Sequence, residues 1–205
     1  MKRSYYFVRH GQAVYQERGF DRTAYPKETD WPLSSTGVTQ AHRVAPLVLR
    51  FGIERVVSSR LERARHTASV IAARGQLPHE HLWAGLNEVH PTTLRAGRPE
   101  ATLHNWSWLD GYRAARAVRR SVAGRGPTPG WDIRGVEDRV FGILARLDEL
   151  PESRLVVTGH GYWILLCSLF LGGELRYRWI DNCSVTRVDA DGSGRYRVVS
   201  FASVL

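Results

Sequence analysis

Three places along this chain put charge-bearing residues at or soon after the ends of short apolar runs. Tyr5–Val8 leads into Arg9-His10-Gly11, Arg55–Ser58 leads toward Arg63, and Leu155–Thr158 leads into Gly159-His160-Gly161. An anionic phosphoryl group needs fixed positive charge around its oxygens, a nucleophile in line with the leaving oxygen, and an acid to protonate that oxygen. Arginine, histidine and a carboxylate supply all three. Arg63 falls in the first turn of an expected helix and His160 opens another, so backbone N–H groups and the helix dipole should favour an anion at both. No GxxxxGK[ST] loop occurs, which leaves nucleotide-triphosphatase chemistry without its usual phosphate cradle.

To act together, these residues must stand on elements that end in one place. The β-branched and aromatic runs at 5–8, 55–58 and 155–158 predict three buried strands. Val38, Ala41, Ala45 and Val48 have helical spacing, predicting a helix over 35–51 closed by Gly52 at C′, with Pro46 kinking or shortening it. Ser59-Arg60-Leu61-Glu62 reads as a capping box opening a helix with the stripe Leu61, Ala64, Ala68 and Ile71, ended by Gly75. Val136, Val140, Ile143 and Leu147 mark a helix stopped by Pro151, and 162–171 predicts an apolar helix running to Gly172-Gly173. Two strands, 183–188 and 196–201, flank the turn residues 191–194. Alternation of strands and helices argues for an α/β protein with a parallel sheet covered on both faces. In such sheets a ligand site lies beyond the carboxyl ends of the strands.

The 205 residues, 43% hydrophobic and 24% charged, fit one ordinary domain and exclude disorder and collagen-like repeats. Cys167 and Cys183 cannot make a disulfide scaffold and lack a CxxC partner or a zinc spacing, so a cytoplasmic location and structural roles are expected. The start, MKRSYYFVRHG, reaches Arg9 and His10 before a signal-peptide core could form. The longest apolar stretch is about half of the ~20 residues that cross a bilayer, so no membrane association is expected. Net charge is +9, and all 29 basic residues except Lys2 and Lys27 are arginine. Most of them read as solvated surface, so position and not number must identify the functional ones. His79 and His81 form an HxH pair without a third ligand in register, which reads as two surface histidines.

Six segments, in order and spread over nearly the whole chain, resemble the histidine phosphatase superfamily, the phosphoglycerate mutase-like family. They are Phe7-Val-Arg-His-Gly-Gln12, Leu33-Ser-Ser-Thr-Gly-Val-Thr-Gln-Ala41, Ser58-Ser-Arg-Leu-Glu-Arg-Ala-Arg-His-Thr-Ala68, Leu86-Asn-Glu88, His160-Gly161 and Asn182-Cys-Ser-Val-Thr186. The resemblance implies a three-layer α/β/α sandwich with a mostly parallel central sheet and a small variable cap over the carboxyl-end active site. It implies one domain over 1–205, with the cap inserted at about 89–134. It further implies that His10 is the nucleophile, that Arg9, Arg63 and His160 clamp the phosphoryl oxygens, and that Glu88 is the general acid and then the base. Gly161 and Gln16 join the expected substrate contacts, Gln16 either reaching a phosphate oxygen or falling short of one. Ala13 stands where the family often has Thr or Ser, Arg60 replaces a common Pro as a rim contact or a solvated residue, and His66 replaces a common Gln in a structural role.

Between 89 and 134 lie eight arginines, among them Arg95, Arg98 and Arg113, with the aromatics Trp106, Trp108, Tyr112 and Trp131. Two readings stand side by side: a cover for a phosphate ester with a flat or apolar remainder, or a solvated basic helix over 111–121. The leading expectation is a phosphomonoesterase acting on a small phosphorylated metabolite, with no cofactor, no metal and no specific nucleic acid partner; assembly as a homodimer is compatible with it. Phosphoglycerate mutase activity is the nearest alternative. A basic nucleic-acid-binding protein and an inactive regulatory homologue are the others.

Overall fold

The computed structural model describes residues 2–21, 30–81, 83–89, 94, 108–125, 130–131, 133–172 and 180–204. Among them the sheet has six strands: β1 (Arg3–Arg9), β2 (Arg55–Ser58), β3 (His79–Glu80), β4 (Arg154–Gly159), β5 (Val185–Ala190) and β6 (Tyr196–Ser203). Their order is β3-β2-β4-β1-β5-β6. The pairs β3–β2, β2–β4 and β4–β1 are parallel, whereas β1–β5 and β5–β6 are antiparallel, so the sheet is mixed and mostly parallel.

Among the described residues five helices cover it: α1 (Ser35–Leu49), α2 (Glu62–Gly75), α3 (Trp108–Val122), α4 (Arg134–Asp148) and α5 (Gly161–Phe170). Strand alternation assigns the layers, because successive side chains point to opposite faces. Tyr6 and Val8 of β1 join Val56, Val156, Val44, Val48, Ala68 and Ile71 under α1 and α2. Tyr5 and Phe7 join Val57, Leu155, Val157 and the buried residues of α3, α4 and α5 on the other face. The chain therefore has the expected α/β sandwich. Parallel pairing of β2, β4 and β1 carries Ser58, Gly159 and Arg9 to the same sheet end.

Several boundaries differ from expectation. α1 ends at Leu49, a turn beyond Pro46, and Gly52 lies two residues past the cap Arg50, with φ +69. Gln76, not Gly75, takes the left-handed conformation after α2, with φ 51. Gly75 is there for space, since a Cβ on it would stand 2.7 Å from Leu49 Cδ2. Cys183 is not in a strand: it turns with φ +57 and donates its N–H to Arg9 O at 3.0 Å, so β5 starts at Val185. The basic helix is not simply solvated either, because α3 buries Ala114, Ala115, Ala117 and Val118 in the core shared with α5. His79 is half-buried in β3, its Nε2 at 3.0 Å from Ser58 Oγ, and burial followed by the neighbouring His81 lowers its basicity. His66 is exposed on α2. Arg95, Arg98 and Trp106 of the expected cap, and Gly173, lie outside the described residues.

One close approach fixes the loop after β1. Ser34 caps α1 by accepting from Gly37 N at 3.1 Å, and Ser34 N donates to Gln12 O at 2.9 Å. A Cβ on Gly37 would sit 2.0 Å from Gln12 O, and one on Gly11 would sit 2.4 Å from Gly37 O. Backbone meets backbone here, so no side chain can move aside. Gly37→Ala should lower stability by about 1–3 kcal/mol, the usual cost of overpacking. An unchanged urea midpoint would show that the loop and α1 can part without loss.

Candidate active site

His10 directly follows β1 and is 1% exposed. Its Nδ1 lies 2.7 Å from Gly11 O, and a carbonyl can only accept, so Nδ1 carries the proton. The other nitrogen, Nε2, is then a lone pair, and it receives Arg63 Nε–H at 3.2 Å. Burial foremost, then Arg63 and Arg9, holds the imidazole well below its ordinary pKa. The ring is neutral, with its unprotonated nitrogen facing an arginine.

Arg63 reaches His10 because α2 is tied to the loop after β1. Thr67 Oγ1 donates to Arg63 O at 2.8 Å, one turn back, and accepts Gly11 N–H at 3.0 Å. The expected capping box does not form. α2 begins at Glu62, so Ser59 lies outside it, and Glu62 N–H is taken by both carboxylate oxygens of Asp30 at 2.8 Å. Asp30 also stands 3.9 Å from Arg63 Nη1, and the Arg63 guanidinium lies 5.7 Å from the Tyr15 ring centroid. Arg60 is exposed.

His160 follows β4 and is wholly buried, its ring centroid 5.1 Å from that of His10. Arg9 is buried as well, with Nη1 donating to Ile180 O. A Cβ on Gly161 would approach Arg9 Nε to 3.2 Å, so this glycine leaves room for the guanidinium. Glu88 takes up the start of α5: Oε1 accepts Trp163 N–H at 3.0 Å and Val89 N–H at 3.1 Å, and Oε2 lies 3.5 Å from Tyr162 N. Both helix starts that were expected to attract a substrate anion thus face a carboxylate of the protein itself. Burial raises the pKa of Glu88, opposed in order by Arg63, Arg9 and the two amides.

The structure therefore gathers His10, Arg63, His160, Arg9 and Glu88 from β1, α2, the start of α5 and the 86–88 segment. Gln16 stands beside them with its Oε1 on Ala13 N–H at 2.9 Å and near Asn182 Nδ2 at 3.4 Å. Two supports escaped sequence reasoning. Asn182 Nδ2 donates to His10 O at 2.9 Å, holding the backbone of the proposed nucleophile. Arg139 of α4 donates Nε to Gly85 O at 2.7 Å and Nη2 to Asn87 O, clamping the segment that carries Glu88. Asn182 lay within a quoted motif. Nothing marked Arg139 among so many arginines.

A buried histidine kept neutral between arginines, near a buried carboxyl whose pKa is raised, is an arrangement suited to an anionic phosphoryl group. The family description of the histidine phosphatase superfamily (branch 1) matches residues 5–203, and the chain belongs to that family. A probable phosphoglycerate mutase of Escherichia coli O1:K1 is 32% identical over 193 residues, covering 90% of this chain and 83% of that protein. Its counterpart in Citrobacter koseri is 33% identical over 192 residues, with the same coverage of 90% and 83%. Among solved structures, phosphoserine phosphatase from Entamoeba histolytica superposes with TM-score 0.66 at 21% identity, covering 98% of this chain and 97% of that one. Mycobacterial glucosyl-3-phosphoglycerate phosphatase does so with TM-score 0.64 at 22% identity and 100% coverage of both chains. These two likenesses establish the fold. Among the described residues no helix is long and apolar enough to cross a membrane.

Proposed function

We propose that this protein is a phosphomonoesterase that hydrolyses a small phosphorylated metabolite through a phosphohistidine on His10. The observation that carries the reading is the commitment of Nδ1 to Gly11 O, which leaves Nε2 as an unprotonated nucleophile beside Arg63. With the phosphoryl group among Arg9, Arg63 and His160, the Nε2 lone pair forms the N–P bond as the ester P–O bond breaks. The bond's electron pair goes to the leaving oxygen, which takes its proton from Glu88. Water then attacks phosphorus, Glu88 carboxylate removes its proton, and the N–P electron pair returns to Nε2.

In this reading the fixed positive charge of Arg9 and Arg63 fills the role that Mg²⁺ or Zn²⁺ plays at other phosphoryl sites, and no cofactor takes part. Hydrolysis of a panel of phosphorylated metabolites should continue in excess chelator. Arg63→Ala should cost roughly 10²- to 10³-fold in kcat/KM, as loss of one preorganised donor does elsewhere. Activity that requires added metal would overturn the assignment.

The curated relatives' description as probable phosphoglycerate mutases favours a second reading, in which a substrate hydroxyl replaces water as acceptor. Incubation with 3-phosphoglycerate separates the two. Release of inorganic phosphate supports the esterase, and accumulation of 2-phosphoglycerate supports the mutase.

A further inference from the structure

Ser59 sits between β2 and α2 and is 0% exposed. Its Oγ makes two hydrogen bonds, one accepting Leu61 N–H at 3.2 Å and one with His160 Nε2 at 2.9 Å. A hydroxyl has one proton to give, and the Leu61 amide can only donate. His160 Nε2 is thus the acceptor left for the Ser59 O–H. Were Nε2 protonated instead, two N–H groups would converge on one oxygen while the buried hydroxyl proton had no acceptor. Buried donors without partners are rare because their lost hydration goes uncompensated. The second nitrogen of the ring, Nδ1, is buried and has no partner among the described residues.

We infer that Ser59 is a positioning residue that fixes neutral His160 in the tautomer protonated on Nδ1, so that this N–H is the donor offered to a phosphoryl oxygen beside His10. The inference rests on the reading of the site as phosphoryl-binding. The opposite tautomer would turn a lone pair toward an anion, which repels. Burial foremost, then Arg63 of α2, His10, Arg9 of β1 and Arg139 of α4, holds the imidazole well below its ordinary pKa, so the ring that accepts from Ser59 is uncharged. His160 then complements the two arginines as a fixed dipole and adds no further charge to a crowded site.

Nitrogen-15 labelling of the histidines, with His160 assigned through a His160→Gln variant, locates the proton by NMR without any substrate. The wild-type protein should show it on Nδ1. In Ser59→Ala the unique tautomer should be lost, and turnover should fall about 10- to 100-fold, the usual effect of removing a partner that orients a ligand. Ser59→Thr restores the hydroxyl and should restore both the Nδ1–H signature and most of the rate. A wild-type proton on Nε2 overturns the inference, as does an unaltered Nδ1–H in folded Ser59→Ala. If the tautomer is as stated but no phosphomonoester is hydrolysed, the assignment of Ser59 stands and the functional reading falls.

Discussion

His10→Ala should abolish turnover and the covalent intermediate together. Removing a nucleophile or its partner from a covalent catalyst costs roughly 10⁴- to 10⁶-fold, because the remaining groups cannot complete the displacement by themselves. Rapid quenching of the wild-type protein with labelled substrate should trap a phosphoenzyme that is labile in acid and stable in base, as a phosphoramidate is. The variant should show none. Arg63 would lose only its His10 contact, so the arginine clamp should persist and the variant should still bind the substrate. Turnover at the wild-type rate in His10→Ala would refute the mechanism, and a label on any other residue would move the nucleophile.

Glu88→Gln should discriminate between leaving groups. A general acid is worth ~10²- to 10⁴-fold where the departing oxygen is a strong base. An alkyl ester releases an alkoxide that must be protonated in the transition state, whereas a nitrophenyl ester releases a stabilised anion. Gln keeps the size of the side chain and a carbonyl for the amides of Val89 and Trp163 but has no acidic proton to transfer. In single turnover, alkyl esters should slow by the full factor and the nitrophenyl ester hardly at all. The burial that raises the pKa of Glu88 also sets the pH response. Phosphorylation by alkyl esters should decline as pH rises through that raised value, and the decline should be missing in Glu88→Gln. Equal losses for both esters would assign the proton to another group.

Much of this was legible in the residues, for physical reasons that differ from place to place. Tyr5–Val8, Arg55–Ser58 and Leu155–Thr158 are short apolar runs that make sense only as buried strands, and each stops where polar residues begin. The parallel sheet then leaves those polar residues at one end. What escaped is whatever depends on distant chain segments. The start of α2 is set by Asp30, 32 residues upstream of Glu62, so the local pattern at 59–62 suggested a cap that does not form. Cys183 belongs to an apparent strand in sequence, yet the chain must turn there to reach Arg9 O. The site carried a comparable gap. His10 and His160 stand out by their place after strands, but Arg139 acts through two carbonyls of a segment 52 and 54 residues away, a relation that no helical periodicity encodes.

β1 is zipped on both sides, to β4 and to β5, so His10 directly follows a strand that separates from its neighbours only when the sheet itself comes apart. Glu88 belongs to less robust company: it follows a three-residue 3-10 turn, Ala84–Leu86, and is moored by a few amides and one arginine. Trp83, Leu86 and Val89 anchor it in the core, yet so short a turn can open locally without unpairing the central strands. The proposed acid and the proposed nucleophile thus sit on elements that need not open together. A molecule whose 84–89 segment has opened would keep a histidine able to accept a phosphoryl group from an activated ester but would have no base to release it. On the proposed mechanism such a molecule would fail as a stalled, phosphorylated protein and not as a leaky hydrolase.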